Sequence, residues 1–278
     1  MHFHILGTGA IGCHLAFELG RRNAVTLLLR SQVHVKDFVA RQSTIKYRRR
    51  QRDPVELGGF DALNFKDSQA ISNRTIEALI VATKSQHAVD AVHAVKPMLN
   101  QDSTVLLFQN GMGVAEELLS KVWTSTKDAP SIIAGVNRHA IERLGPFHIK
   151  HNSGWNDPKG LNLGALPHSR ADKVRPIFKA FEECPDFRTT VLEWPELLKR
   201  MLRKLVVNAT INPVAALLDV ANGKLLENAG SMELLEGLTK EAAETLTELQ
   251  ATGEELLHEV VKTAEISSPN NCTTVQDL

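Results

Sequence analysis

Phe3-His4-Ile5-Leu6-Gly7-Thr8-Gly9-Ala10-Ile11-Gly12 sets a short apolar run directly before a G-x-G-x-x-G turn. A helical pattern follows from Ile11 to about Arg22. The order carries the reading, because glycine-rich turns alone are common. Strand, glycine turn and helix in this sequence form the first half of a dinucleotide-binding unit. The first glycine permits the tight turn, the second lets backbone approach a pyrophosphate, and the third lets helix and strand pack closely. Amides at the helix N-terminus then face the phosphates, with the helix dipole favouring negative charge. Gly7, Thr8, Gly9, Ala10, Ile11 and Gly12 are therefore the expected cofactor-binding residues.

The next apolar run, Val25–Leu29, is continuous, as expected of a parallel strand buried on both faces. It ends in Arg30-Ser31-Gln32, where an NAD site places an acidic residue for the ribose 2′-hydroxyl. A carboxylate would repel a 2′-phosphate, whereas a guanidinium binds one with paired charge-assisted hydrogen bonds. The sequence thus predicts NADP(H) rather than NAD(H), with Arg30 as the discriminating side chain. The plainer alternative is a solvated arginine at a strand end.

Working outward, Ala78–Thr83, Thr104–Phe108 and Ser131–Val136 read as further strands, with helices over Gln86–Leu99 and Val114–Val122 between them. Strands alternating with helices mean crossover units and a parallel sheet. Phe147–Lys150 and Leu161–Ala165 read as smaller closing strands, and Arg170–Glu183 as a connecting helix. Beyond about Glu193 strand signals vanish, and helical patterns run from Pro195 to about Ile266. The expected architecture is an α/β domain with a parallel sheet over 1–168, a connector over 169–189, and an all-α domain over 190–278.

The composition excludes several classes. Thirty-two basic side chains balance 32 acidic ones, so no global field draws the chain to nucleic acid or to a membrane. The basic run Lys46–Arg52 reads as an exposed hairpin with solvated charges. Cys13, Cys184 and Cys272 are far apart and odd in number, which suits free thiols in a reducing compartment and no disulfide framework. His2, His4, His14, His87 and His93 show no recurring ligand spacing, so no metal is expected. No run of 18 apolar residues suggests a spanning helix. A first strand starting at residue 3 leaves no room for a targeting segment, which makes the cytoplasm the expected location.

Three further spots carry chemistry. Lys84 stands at the carboxyl end of the Ala78–Thr83 strand, the edge where open α/β sheets bind ligands. Asn110-Gly111-Met112-Gly113 follows another strand at the same edge. A solvated lysine and a plain Asn-Gly turn explain each alone; both at one edge favour ligand binding. In the helical part, Lys204, Asn208 and Asn212 are spaced by four and stack on one helical face. The residues between them are mostly apolar, which predicts a helix buried all round whose polar stripe faces a ligand or cleft. The alternative is an asparagine pair knitting helices, with Lys204 reaching solvent. Pro213 predicts a kink or break.

Together these residues resemble the ketopantoate reductases (2-dehydropantoate 2-reductases). The resemblance rests on the glycine motif, Arg30, Lys84, Asn110-Gly-Met-Gly113, Arg203-Lys204-Leu-x-x-Asn208-x-x-x-Asn212-Pro213 and Asn222-Gly223. It implies a Rossmann domain, a helical domain, and substrate bound in the cleft between them. It also implies NADPH-dependent reduction of 2-dehydropantoate to (R)-pantoate, on the route to pantothenate and coenzyme A. By the resemblance, Lys204 is the catalytic general acid, and Asn208 and Asn212 hold substrate hydroxyl or carboxylate groups. Arg30 grips the 2′-phosphate, Lys84 lies by the cofactor, and Asn110 sits where cofactor and substrate meet.

Cys272-Thr273-Thr274-Val275-Gln276-Asp277 is the nearest match to the family's Ser-Ser-Met-x-x-Asp stretch, with Thr273 keeping a substrate-facing hydroxyl. The family's later glutamate near the catalytic lysine has no counterpart before Leu278. Two other readings stay open: a non-catalytic NADP(H)-binding regulatory homologue, and a reductase of another branched 2-oxo acid. The apolar faces of the helical half suit a homodimer.

Overall fold

The computed structural model describes residues 1–123, 125 and 128–268. Chain order begins β1 (His2–Leu6), α1 (Ala10–Gly20), β2 (Ala24–Leu29), α2 (Gln32–Ala40), β3 (Ile45–Arg49), β4 (Val55–Leu57) and β5 (Asp61–Asn64). It continues with α3 (Ser68–Ile71), β6 (Ala78–Val81), α4 (Ala88–Val95), β7 (Thr104–Leu107), α5 (Val114–Lys121) and β8 (Ser131–Asn137). Next come β9 (Ala140–Gly145), β10 (His148–Ser153), β11 (Leu161–Ala165), α6 (Ala171–Glu182) and β12 (Thr189–Val191). Three long helices close the described chain: α7 (Trp194–Leu218), α8 (Ala229–Thr245) and α9 (Gly253–Ile266).

Two compact units result, residues 1–197 and 198–278. The first holds an eight-stranded sheet in the order β12-β11-β8-β7-β6-β1-β2-β5. From β5 to β8 every pairing is parallel, and β11 joins β8 antiparallel. The chain steps outward from β1 in both directions, so the order reverses between β1 and β6. That reversal is where doubly wound sheets open a crevice at their carboxyl ends. The central strands β1, β2, β6 and β7 are almost wholly buried, as their unbroken apolar runs require. The connector expected over 169–189 contributes Val174, Ile177, Ala180 and Phe181 to this unit's core.

A second sheet, β4-β3-β10-β9, corrects the reading of Lys46–Arg52. The run does belong to a hairpin, β3–β4, but not to a free one: β3 is an inner strand that also pairs parallel with β10. Period-two alternation turns Ile45 and Tyr47 into the core and leaves Lys46 and Arg48 partly exposed. Helix α1 contacts strands of both sheets. This explains why every residue from Gly12 to Leu19 is buried, including the polar His14 and Glu18.

The second unit is helical. Its core joins Leu202, Val206, Ile211, Val214 and Ala215 of α7 to Leu235 of α8 and Leu256, Val260 and Ala264 of α9. Two expectations about α7 change. Burial takes in Leu202, Val206, Thr210, Ile211, Val214 and Ala215, while Ala209 and Leu217 are exposed. Pro213 does not break the helix, which runs through it. Pro213 and Ala209 are both exposed, so water can take the hydrogen bond that proline leaves unmade. Among the described residues, α7 alone is long and apolar enough to cross a membrane. It also carries Glu196, Lys199, Arg200, Arg203 and Lys204 and packs one face into the helical core, as a core helix does.

Candidate functional site

The glycine turn is built by close approach. Gly7 has φ +106°, and a Cβ there would lie 2.7 Å from the Ala82 carbonyl carbon and the Thr83 amide nitrogen. A Cβ on Gly12 would fall 1.8 Å from the Gly7 carbonyl oxygen. No side chain fits at either position, so β1, the turn and α1 are locked against the end of β6. Gly9 differs: it is the N-cap of α1, no side chain caps the helix, and nothing lies within 4 Å of where its Cβ would point. The helix N-terminus therefore opens onto free space at the crevice, which fits a pyrophosphate and tests the cofactor reading on geometry.

Around that crevice the other predicted residues occupy the expected sheet edge. Arg30 is exposed immediately after β2. Ser31 behind it caps α2, its hydroxyl accepting from the His34 amide at 3.3 Å. Lys84 is exposed just after β6, and Asn110 is exposed just after β7. Between them lies a residue that sequence reasoning passed over. Gln109 donates through Nε2 to the Val81 carbonyl at 2.8 Å and to the Thr83 carbonyl at 3.4 Å. It ties the loop after β7 to the loop after β6 and so fixes both ligand loops. Among the described residues, Gln109 Oε1 and Thr83 Oγ1 are buried without hydrogen-bond partners. Such groups are costly, and at this edge they are the kind of group a bound ligand satisfies. The signal available was a lone glutamine between Phe108 and Asn110 at a strand end.

In the helical unit, Lys204, Asn208 and Asn212 are each half-buried. They stand two residues on from Leu202, Val206 and Thr210, about 200° around the helix axis. The polar stripe shares its side of α7 with Ile211 and Ala215, which are buried in the helical core. Arg203, beside Lys204, pairs instead with Glu259 of α9. Asn222 and Gly223 serve the fold: Asn222 Nδ2 donates to Ser267 Oγ at 2.9 Å, and a Cβ on Gly223 would lie 1.9 Å from Ser268 Oγ. Thr273, the expected substrate hydroxyl, lies outside the described residues.

Cys13 and Cys184 are free thiols. Burial pushes the first up to about 12 and the second up to about 11, which makes both inert. The fold gathers histidines that the sequence left scattered. His14 of α1 meets His139 and His151 in the first unit, all three buried, with ligand atoms within 4.8 Å of one another. Burial holds His14 well below its ordinary value, lowers His139, and lowers His151 to about 3. Sequence spacing could not show this cluster, because the three rings come from distant elements.

The family profile "Ketopantoate reductase PanE/ApbA" matches residues 3–167, and that for the C-terminal part of the same family matches residues 196–278. The chain is similar to a probable 2-dehydropantoate 2-reductase of Schizosaccharomyces pombe, at 34% identity over 250 residues. That match covers 87% of this chain and 71% of the relative. The fold is shared with a crystal structure of a probable 2-dehydropantoate 2-reductase from Bacillus subtilis, with TM-score 0.74 and 23% identity. That likeness covers 100% of this chain and 86% of the other. A D-mandelate dehydrogenase solved with NADH and anilino(oxo)acetate shares the fold too, at TM-score 0.78 and 16% identity. It covers 100% of this chain and 85% of that one.

Proposed function

The chain belongs to the ketopantoate reductase family, and from that premise we propose that it reduces 2-dehydropantoate to (R)-pantoate with NADPH, using Lys204 as proton donor. The observation that carries this reading is the uncapped helix N-terminus behind Gly7–Gly12, a phosphate-binding turn, in a chain whose α7 presents Lys204, Asn208 and Asn212 on one face. NADPH, when bound, supplies the hydride. Every other task falls to the chain's own side chains.

Reduction of a ketone leaves negative charge on its oxygen, and an ammonium both stabilises that charge and delivers the proton. Lys204 takes this role. The amides of Asn208 and Asn212 donate and accept, which matches a substrate bearing both hydroxyl and carboxylate groups. Arg30 would hold the 2′-phosphate through charge-assisted hydrogen bonds. Lys84 lies by the cofactor, Asn110 sits at its junction with substrate, and Gln109 holds both of their loops in position. Thr273 contributes a further substrate hydroxyl.

The test is Lys204→Ala. It should lower kcat by about 10²–10⁴-fold while the Kd for NADPH, read by fluorescence, changes by less than about twofold. Equal losses in turnover and in NADPH binding would refute the role. The two buried free thiols support a reducing, cytoplasmic setting. Leu217, Leu218, Leu234 and Ile266 are exposed on the helical unit, which supports pairing with a second copy of the chain.

A further inference from the structure

Helix α1 buries a histidine with nothing to hold. His14 is 1% exposed, and among the described residues neither of its ring nitrogens has a hydrogen-bond partner. Leaving two polar atoms orphaned in a core is costly, so such a group calls for an explanation. The neighbours supply one. The His14 ring centroid lies 4.7 Å from that of His151 and 5.2 Å from that of His139, and those two lie 5.0 Å apart. The three planes are mutually tilted by 56–69°, so the rings converge rather than stack.

We propose that His14, His139 and His151 form a structural zinc site that staples α1 to the second sheet. Zinc holds imidazole nitrogens at about 2.0–2.1 Å, so two such nitrogens on a tetrahedral ion stand about 3.4 Å apart. His139 Nδ1 and His151 Nε2 are 3.1 Å apart, close to that spacing. Binding through these two atoms replaces their mutual hydrogen bond and moves the His151 proton to Nδ1, which then donates to Tyr47 OH instead of accepting from it. The outer nitrogens keep partners suited to a ligating histidine: His139 Nε2 faces the Phe187 carbonyl at 2.9 Å, and His151 Nδ1 faces Tyr47 OH at 2.6 Å. Metal-bound histidines characteristically donate their second N–H to such acceptors. His14 completes the set, its ring drawn in until one nitrogen reaches the ion.

Gly154 packs tightly against His139. A Cβ on Gly154 would lie 2.6 Å from His139 Nδ1, the atom that would ligate. A side chain there would press on the His139 backbone and ring, so glycine lets the imidazole keep its place in the cluster. No part of this cluster enters the proposed reaction. Its consequence is mechanical: α1, whose N-terminus carries the glycine turn, is anchored to His151 on β10 and to His139 in the link between β8 and β9.

Untagged full-length protein, stripped with chelator and dialysed against zinc sulfate, should retain about one zinc per chain by elemental analysis. At zinc concentrations about a hundredfold above Kd, its midpoint of thermal unfolding should rise by about 5 °C or more. His14→Leu should lose the zinc and the thermal shift. A double His2→Asn, His4→Asn variant should keep both, which separates the buried site from the two N-terminal histidines. Cobalt(II) titration of the unaltered chain gives a second readout that needs no variant. Intense visible ligand-field bands of tetrahedral cobalt support the site, and the weak spectrum of octahedral cobalt overturns it. Zinc at background level, or zinc retained equally by His14→Leu, would also overturn it.

Discussion

Lowering the pH from 7.5 to 5.5 in the presence of chelator should cost the N-terminal unit about 4 kcal/mol of stability. His4, His14 and His151 are all held below the ordinary histidine value, first by burial and then by neighbouring positive or titratable groups. His4 is lowered to about 4 and His151 to about 3, while His14 lies well below its ordinary value. The folded pKa of each is therefore below the unfolded 6.5. The unfolded chain binds more protons between the two values, so the stability is present above 6.5 and drains away as pH falls. Between pH 7.5 and 5.5, a group neutral in the folded state and titrating at 6.5 in the unfolded one loses about 1.4 kcal/mol. Three such groups give about 4 kcal/mol, and His139, also lowered by burial, adds in the same direction. Glu18, raised by burial, works in the opposite direction and trims the total.

Trp123, Trp155 and Trp194 all fall within residues 1–197, so tryptophan fluorescence in urea follows this unit by itself. His14→Leu should remove about a third of the pH dependence. It should also raise stability at pH 5.5, because it deletes an orphaned imidazole. A loss below about 1.4 kcal/mol, the worth of one histidine, would refute the reasoning. Either the histidines would then be hydrated, or they would stay neutral in the unfolded chain.

Two substitutions test the cofactor site. Arg30→Ala should weaken NADPH binding by about 10-fold or more and leave NADH binding nearly unchanged, because the lost charge-assisted hydrogen bonds go only to the 2′-phosphate; equal weakening of both would remove Arg30 from that role. Gly12→Ala places a Cβ against the Gly7 carbonyl oxygen, 1.8 Å away. It should cost about 3 kcal/mol in urea unfolding, at or beyond the upper end of ordinary overpacking, and a cost under about 1 kcal/mol would mean that the turn relaxes freely.

What could be read before folding was whatever depends on local pattern. β1, β2, β6 and β7 announced themselves as unbroken apolar runs because both of their faces are buried. β9, Ala140–Gly145, did not, since most of it faces solvent and Glu142-Arg143 interrupts any stripe. β12 and β4 have three residues each, too few to carry a period. Lys46–Arg52 misled because its charges mask the alternation of Ile45 and Tyr47 beneath them. The placement of the glycine turn, Arg30, Lys84 and Asn110 at the carboxyl edge of the sheet was legible from spacing and strand ends. Gln109 was not, because its role depends on reaching across to the neighbouring strand's carbonyls. The histidine cluster was wholly tertiary: His14 looks like any helical residue until β10 brings His151 beside it.

The Asn222-Gly223 pair shows how a signature can keep its letters for a reason remote from chemistry. Gly223 is pressed against Ser268, and Asn222 holds Ser267, so the pair latches the last described turn of α9. Selection on that latch would continue in a descendant that had abandoned its reaction, whereas selection on Lys204 would not. If Lys204 has its proposed role, the two stretches are separate witnesses, one to ancestry and one to turnover. A relative that retains Asn-Gly but has exchanged the lysine would be kin in shape and mute in catalysis.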